Sequence, residues 1–101
     1  MQYEQSASHG PRFREHRSEV ILQSLDHLLS MARRYRSEGQ MRQAMGIYWM
    51  LSEDHAGTAQ AQGAQDSLLE LADLYERDGF RHQARAIYQR LCDSHVRGQK
   101  E

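Results

Sequence analysis

The chain has little of what small proteins use for covalent or metal-based stability. It contains one cysteine and one proline in 101 residues, and Lys100 is its only lysine. A single cysteine, Cys92, excludes a disulfide within the chain and is typical of a reducing compartment. No apolar run approaches the roughly 18 residues that a membrane-spanning helix requires, and the N-terminal stretch lacks the apolar core of a secretory signal. These absences predict a cytoplasmic protein.

Charge and motifs exclude further classes. The net charge of −1 predicts no general affinity for nucleic acid or anionic membranes. The chain has no Gly-rich phosphate loop, no Cys-x-x-Cys pair, no His-Glu-x-x-His and no Gly-x-Ser-x-Gly. Cys92 and His95 are the best metal candidates, but the repeat described below does not keep this pair, which favours a histidine at a helix end. We therefore predict no enzymatic activity, no cofactor and no metal.

Helical periodicity dominates what is present. Apolar residues recur at spacings of three and four from Ile21 to Tyr35, which predicts one stripe of an amphipathic helix. Ser18 is the predicted N-cap of this helix and Gly39 its predicted end. A second stripe, from Ala44 to His55, predicts a second helix that ends before Gly57.

The same pattern then begins again, with a period of about 40 residues. Thr58 matches Ser18 as a predicted N-cap, although the capping-box pattern of residues 67–70 would start this helix near Leu68 instead. Gly79 matches Gly39, and a fourth helix follows. We predict an all-α fold of two helix-turn-helix hairpins, with these bounds: a flexible tail over residues 1–17, a helical domain over 18–96 whose repeats cover about 18–57 and 58–96, and a C-terminal tail over 97–101.

The recurring residues resemble the tetratricopeptide repeat, whose pattern runs W-x2-L-G-x2-Y, then A-x3-F, then P. The first copy has Leu28, Met31, Ala32, Tyr35, Ala44 and Tyr48, and the second has Leu68, Leu71, Ala72, Tyr75, Ala84 and Tyr88. Neither copy has the initial Trp or the closing Pro, and the period is about 40 residues instead of about 34. The resemblance covers most of the chain from Leu25 to Val96, and it implies two stacked hairpins of the long type.

The resemblance also implies a partner-binding groove along the first helix of each repeat. Carried over by position, its residues are Leu29, Arg33, Arg36, Leu69, Asp73 and Glu76. One leucine in each half, among charges of opposite sign, suits an amphipathic segment of a partner. Ordinary solvated helix faces would show the same pattern, so both interpretations stay open. The family's chaperone-binding clamp uses Lys and Asn across three repeats, and we do not predict that function here.

Two hairpins are also fewer than the about three that repeat proteins usually need for stability. No preceding repeat covers the apolar start of the first helix, so we expect it to meet the tail, a second copy of the chain in a homodimer, or a partner helix. Its residues are Val20, Ile21, Leu22 and Leu25. A further stripe of Met41, Met45 and Trp49 is predicted to pack on the second hairpin, where Arg81, Arg85 and Gln89 would end the array in water.

The predicted function is a protein–protein adaptor or small chaperone that holds a peptide or helix of a partner protein. RNA binding is an alternative, because Arg33, Arg34, Arg36 and Arg42 cluster in the sequence. The acidic second repeat argues against a continuous basic track. A structural building block of a homo-oligomer is the third interpretation.

Overall fold

The computed structural model describes residues 10–99, and the side chains of residues 19–94. Over this range the chain forms four helices and no strand, which confirms the all-α prediction. Each helix packs against the next one in the chain, and α1 also contacts α3, as in a helical-repeat protein. The helices are α1 (Gly10–Ser37), α2 (Met41–Asp54), α3 (Ala59–Arg77) and α4 (Arg81–Gln99).

The turns of the two hairpins are the same. Gly39 and Gly79 have φ angles of 83° and 89°, in the left-handed region that glycine adopts without steric cost. The backbone N–H of the next residue donates to the carbonyl of a tyrosine five positions earlier, at 2.8 Å in both turns. This pattern is the Schellman motif. The ends predicted at these two glycines are confirmed, and the two hairpins repeat in backbone as well as in sequence.

The starts of the helices agree less well with the predictions. The Thr58 hydroxyl accepts a hydrogen bond from the backbone N–H of Ala61 at 3.0 Å, so its predicted role as N-cap is confirmed. The alternative start near Leu68 is wrong, because α3 already begins at Ala59. The N-cap prediction at Ser18 is also wrong, because α1 begins at Gly10. Proline is favoured in a first helical turn, where its missing N–H would have no partner, so Pro11 suits this earlier start.

The ends of the chain bear on the predicted tails. Helix α4 continues to Gln99, three residues beyond the predicted end of the domain at Val96. The tail predicted for residues 1–17 overlaps α1 from Gly10 onwards. Residues 1–9 and 100–101 lie outside the described residues, and so does that part of the two tail predictions.

A continuous core joins the hairpins. Leu51, Leu68 and Leu71 are fully buried at its centre, and buried alanines at matched positions, such as Ala44 and Ala84, let the helices approach closely. The predicted inter-repeat stripe belongs to this core: Trp49 is buried, and Met41 and Met45 pack against it half-buried. The predicted outer positions Arg81, Arg85 and Gln89 on α4 are exposed.

An ion pair covers the tryptophan on the outside. The Arg90 guanidinium lies 4.3 Å from the centre of the Trp49 ring, within the range of a cation–π interaction. The same group donates to both carboxylate oxygens of Glu53, at 2.7 and 2.9 Å. This hydrogen bonding raises the pKa of Arg90 above its usual value, against the opposing effect of partial burial. Arg90 on α4 thus ties the second hairpin to α2 of the first.

Candidate functional site

Helices α1 and α3 lie side by side in one register. Gln60 Nε2 donates to Asp26 Oδ1 at 2.6 Å, and Arg36 Nη1 donates to Glu70 Oε1 at 2.9 Å. Both pairs are separated by 34 residues in the sequence. Residues on α3 therefore face the α1 residue 34 positions earlier, and the two helices run in the same direction.

Helix α3 approaches α1 closely at Gly63. A Cβ atom added there would lie 3.2 Å from the Leu29 side chain, closer than ordinary van der Waals contact. Leu29 is 8% exposed as a result. The prediction that Leu29 lines an open groove is wrong for this reason: the second hairpin covers it.

The two predicted arginines of the first repeat line a cleft between α1 and α3. This cleft has a volume of about 480 Å³, and Asp66 and Glu70 of α3 form its opposite wall. Arg36 is paired with Glu70 across it. A basic wall thus faces an acidic wall, and the continuous basic surface that RNA binding would need does not form at Arg33 and Arg36.

The floor of the cleft contains Tyr48. Its side chain is fully buried, and its hydroxyl has no hydrogen-bond partner among the described residues. Leaving a buried hydroxyl without a partner costs about 1–3 kcal/mol. The matched residue of the second hairpin, Tyr88, is in a different setting, because the carboxylates of Asp73 and Glu76 stand where Arg33 and Arg36 stand in the first.

The second hairpin leaves the matched face uncovered. Leu69 is 46% exposed, although Leu29 is buried at the same position of the first hairpin. Likewise Cys92 is exposed, while its counterpart Ser52 is buried and accepts a hydrogen bond from Gln65 of α3 at 3.3 Å. We call this surface of the second hairpin the open face, and it consists of Leu69, Asp73, Glu76, Tyr88 and Cys92.

The electrostatics of the open face are acidic. Desolvation and the neighbouring carboxylates of Glu76 and Asp73 raise the pKa of the half-buried Tyr88. Asp73 is paired with Arg77 on the same helix, at 2.7 Å. Sequence reasoning found the three α3 residues of this face but missed the contributions of Tyr88 and Cys92. The available signal was the repeat itself, because their counterparts Tyr48 and Ser52 flank a helix interface.

The residues of the interface predicted at the start of α1 differ in burial. Val20, Ile21 and Leu22 are all exposed, each by 44–51%. Leu25 is buried in the core instead, so it does not belong to the exposed surface that was predicted to meet the tail, a second copy of the chain or a partner helix. By the α1–α3 register, Ala59 at the start of α3 lies beside Leu25, which is why the burial begins there.

Within residues 10–99, the first half of α1 consequently has no neighbouring helix. Helix α2 has 14 residues and α1 has 28, so α2 reaches back along only about half of α1. Residues 10–24, which we call the overhang, extend for about 22 Å at the helical rise per residue. Isolated helices of this length are only marginally stable in water, which makes the overhang a second candidate for an interface.

Other kinds of site find little support. Among the described side chains, no group of three or more His, Cys, Asp or Glu residues is placed to hold a metal ion. The side chain of His95, the proposed companion of Cys92, lies outside that range. No helix within residues 10–99 is long and apolar enough to cross a membrane.

Comparison with known proteins gives no relative. No family model matches this chain, and neither a curated protein nor a solved structure matches it.

Proposed function

We propose that this chain is a non-enzymatic protein-interaction module, an adaptor or small chaperone that binds a helix or peptide of a partner protein on the open face. The observation that supports this most strongly is the contrast between Leu29 and Leu69. The two leucines occupy the same position of the same hairpin, yet one is 8% and the other 46% exposed. Helix α3 covers Leu29, whereas Leu69 is free to contact a helix of a partner.

The chemistry of the open face suits an amphipathic segment. Leu69 offers apolar area, and the carboxylates of Asp73 and Glu76 favour a partner with basic groups. The likeness to the tetratricopeptide repeat belongs to the same proposal, since that family binds peptides and helices along the first helix of each hairpin. The proposal also includes a cytoplasmic location, which agrees with the exposed free thiol of Cys92.

Photo-crosslinking from defined positions tests this proposal. A benzophenone amino acid placed at position 69 in the full chain is expected to crosslink to one partner protein in the cells that produce it. The control carries the same group at position 43, which is exposed on α2. Its counterpart Gln83 faces the first hairpin, so position 43 points away from the open face. Crosslinks from 69 and none from 43 support the proposal, while equal yields from both positions, or none from 69, contradict it.

The overhang supports a second role, as a contact between copies of the chain or with the partner. Three adjacent apolar residues, Val20, Ile21 and Leu22, are exposed on the part of α1 that no other helix within residues 10–99 covers. If two copies pair there, Leu22→Arg is expected to convert a dimer into a monomer in sedimentation equilibrium. Gln23→Arg, one residue further on, is the control that should leave the mass unchanged. A wild-type chain that sediments as a monomer contradicts the homodimer.

A further inference from the structure

The internal repeat shows what kind of helix the open face accepts. In the first hairpin the face made by Asp26, Leu29 and Arg36 is covered by α3, which places Gln60, Gly63 and Glu70 against those three residues in turn. Helix α3 is thus a structural template for a helix bound to this surface. The second hairpin repeats the surface, with Asp66, Leu69 and Glu76 at the matched positions.

Transferring the α3 geometry defines the partner position by position. We expect the residue over Leu69 to be small, because a Cβ atom at Gly63 would already lie 3.2 Å from the Leu29 side chain, and Leu29 would have to move to admit it. The residue over Glu76 lies seven positions later, as Glu70 follows Gly63. In the first hairpin an acidic residue pairs there with Arg36 at 2.9 Å. In the second, Glu76 replaces that arginine, so the partner residue must be basic.

Two neighbouring carboxylates contribute less. Asp73 is already paired with Arg77 at 2.7 Å, and Asp66 accepts a hydrogen bond from Gln62 at 3.1 Å. Glu76 forms no ion pair among the described residues and interacts with the Tyr88 hydroxyl. It is therefore the carboxylate that selects the charge of the partner.

A second copy of the chain does not fit this surface well. In a continuous array, α1 of the next copy would take the place that α3 takes in the first hairpin. It carries Gln23 and Ser30 where α3 carries Gly63 and Glu70. A long side chain would then meet Leu69, and no cation would meet Glu76. The size of Gln23 and the lack of a cation at Ser30 therefore favour a partner other than a second copy of this chain.

We propose that the open face binds a partner helix that runs parallel to α3, with a Gly or Ala over Leu69 and a Lys or Arg seven residues later against Glu76. This proposal rests on the proposed function, because it specifies the partner for the same face. It differs from a general affinity for basic peptides in requiring both the small residue and its spacing from the basic one.

The chain itself supplies the probe. A synthetic peptide of residues 58–77 has the required helix, with Gly63 in place, and the single change Glu70→Lys gives it the required cation. Its affinity for the full-length chain can be measured by fluorescence anisotropy of a dye on the peptide. We expect the Glu70→Lys peptide to bind at least about fivefold more tightly than the unmodified peptide, in which Glu70 would face Glu76. A peptide that combines Glu70→Lys with Gly63→Leu should lose this binding.

Charge reversal on the protein completes the test. Glu76→Arg is expected to invert the preference, so that the unmodified peptide binds more tightly than the Glu70→Lys peptide. Circular dichroism checks that the variant keeps its helices, which is expected because Glu76 is exposed. Equal binding of both peptides, no binding of either, or a preference that Glu76→Arg leaves unchanged overturns the proposal. Such a result would leave crosslinking from position 69 unaffected, so failure of this inference and failure of the proposed function can be told apart.

Discussion

The two hairpins of this protein have the same turns and the same core positions, yet they differ in what covers them. Helix α3 lies over the face that contains Leu29 and Tyr48, while nothing within residues 10–99 lies over the matched face that contains Leu69 and Tyr88. The charges on that face also reverse, from Arg36 to Glu76. The second hairpin thus exposes a surface that has the shape of a helix-binding face. The first hairpin shows how a helix occupies that face.

The same comparison extends to the second helix of each hairpin. Trp49 on α2 is buried under the second hairpin and under Arg90, while its counterpart Gln89 on α4 is exposed to solvent. The α4 edge beside the open face is therefore polar, where the matched edge of α2 is apolar. The apolar area that the second hairpin offers a partner thus lies on α3, at Leu69.

Replacing the tryptophan should give the largest effect. Trp49→Ala is expected to lower the free energy of unfolding by about 3–5 kcal/mol, because it removes the largest side chain between the hairpins. The matched change Gln89→Ala should stay within about 0.5 kcal/mol. Urea unfolding followed by circular dichroism measures both. Similar losses for the two variants would contradict the assignment of a buried and a solvated side.

The next largest difference in stability is expected between variants of Leu29 and Leu69. Leu29→Ala is expected to cost about 2–3 kcal/mol, since it empties the space beneath Gly63. Leu69→Ala should cost less than about 1 kcal/mol in the free protein, because half of its side chain already contacts water. The same urea experiment compares them. An equal cost would mean that the open face is covered in solution, by a second copy or by another part of the chain.

The paired tyrosines should respond in opposite directions. Tyr48→Phe is expected to raise the free energy of unfolding by about 1 kcal/mol, because it removes a buried hydroxyl that has no hydrogen-bond partner among the described residues. Tyr88→Phe should lower it, because the hydroxyl interacts with Glu76. Thermal unfolding of the two variants beside the wild type decides this. A destabilised Tyr48→Phe variant would show that the Tyr48 hydroxyl is hydrogen-bonded after all.

The smallest expected effect is on stability at high pH. Folding raises the pKa of Tyr88, so its neutral form is favoured more in the folded state than in the unfolded state. This contribution is fully present below the unfolded value of about 10 and is lost as the pH rises through the folded pKa. The wild type should therefore lose more stability than Tyr88→Phe over this range. Parallel curves of stability against pH for the two proteins would contradict it.

Much of the fold could be predicted because its signals are local. Gly39 and Gly79 mark turns that need a positive φ, and Thr58 carries its own capping hydroxyl. The start of α1 could not be predicted from Ser18, which is a residue type that favours N-caps but lies inside this helix. Whether a residue with cap chemistry starts a helix depends on the preceding chain, which here is already helical from Gly10.

The candidate site was predicted only in part, because exposure depends on the neighbouring helix. Leu29 and Leu69 look alike in the sequence, and only the packing of α3 separates them. Gly63 was the one signal of that packing, since a glycine inside a helix often marks a close approach. The burial of Leu25 could not be predicted for the same reason, because it depends on where α3 begins.

The reactivity of one thiol tests the difference between the two hairpins most directly. Cys92 lies on the open face, and its counterpart Ser52 is buried beneath α3. The rate of alkylation by iodoacetamide can be compared between the wild type and a variant that carries Ser52→Cys together with Cys92→Ser. We expect the thiol at position 52 to react at least about tenfold more slowly, because it must wait for local opening of α3. Equal rates at the two positions would contradict the account of one covered and one open face.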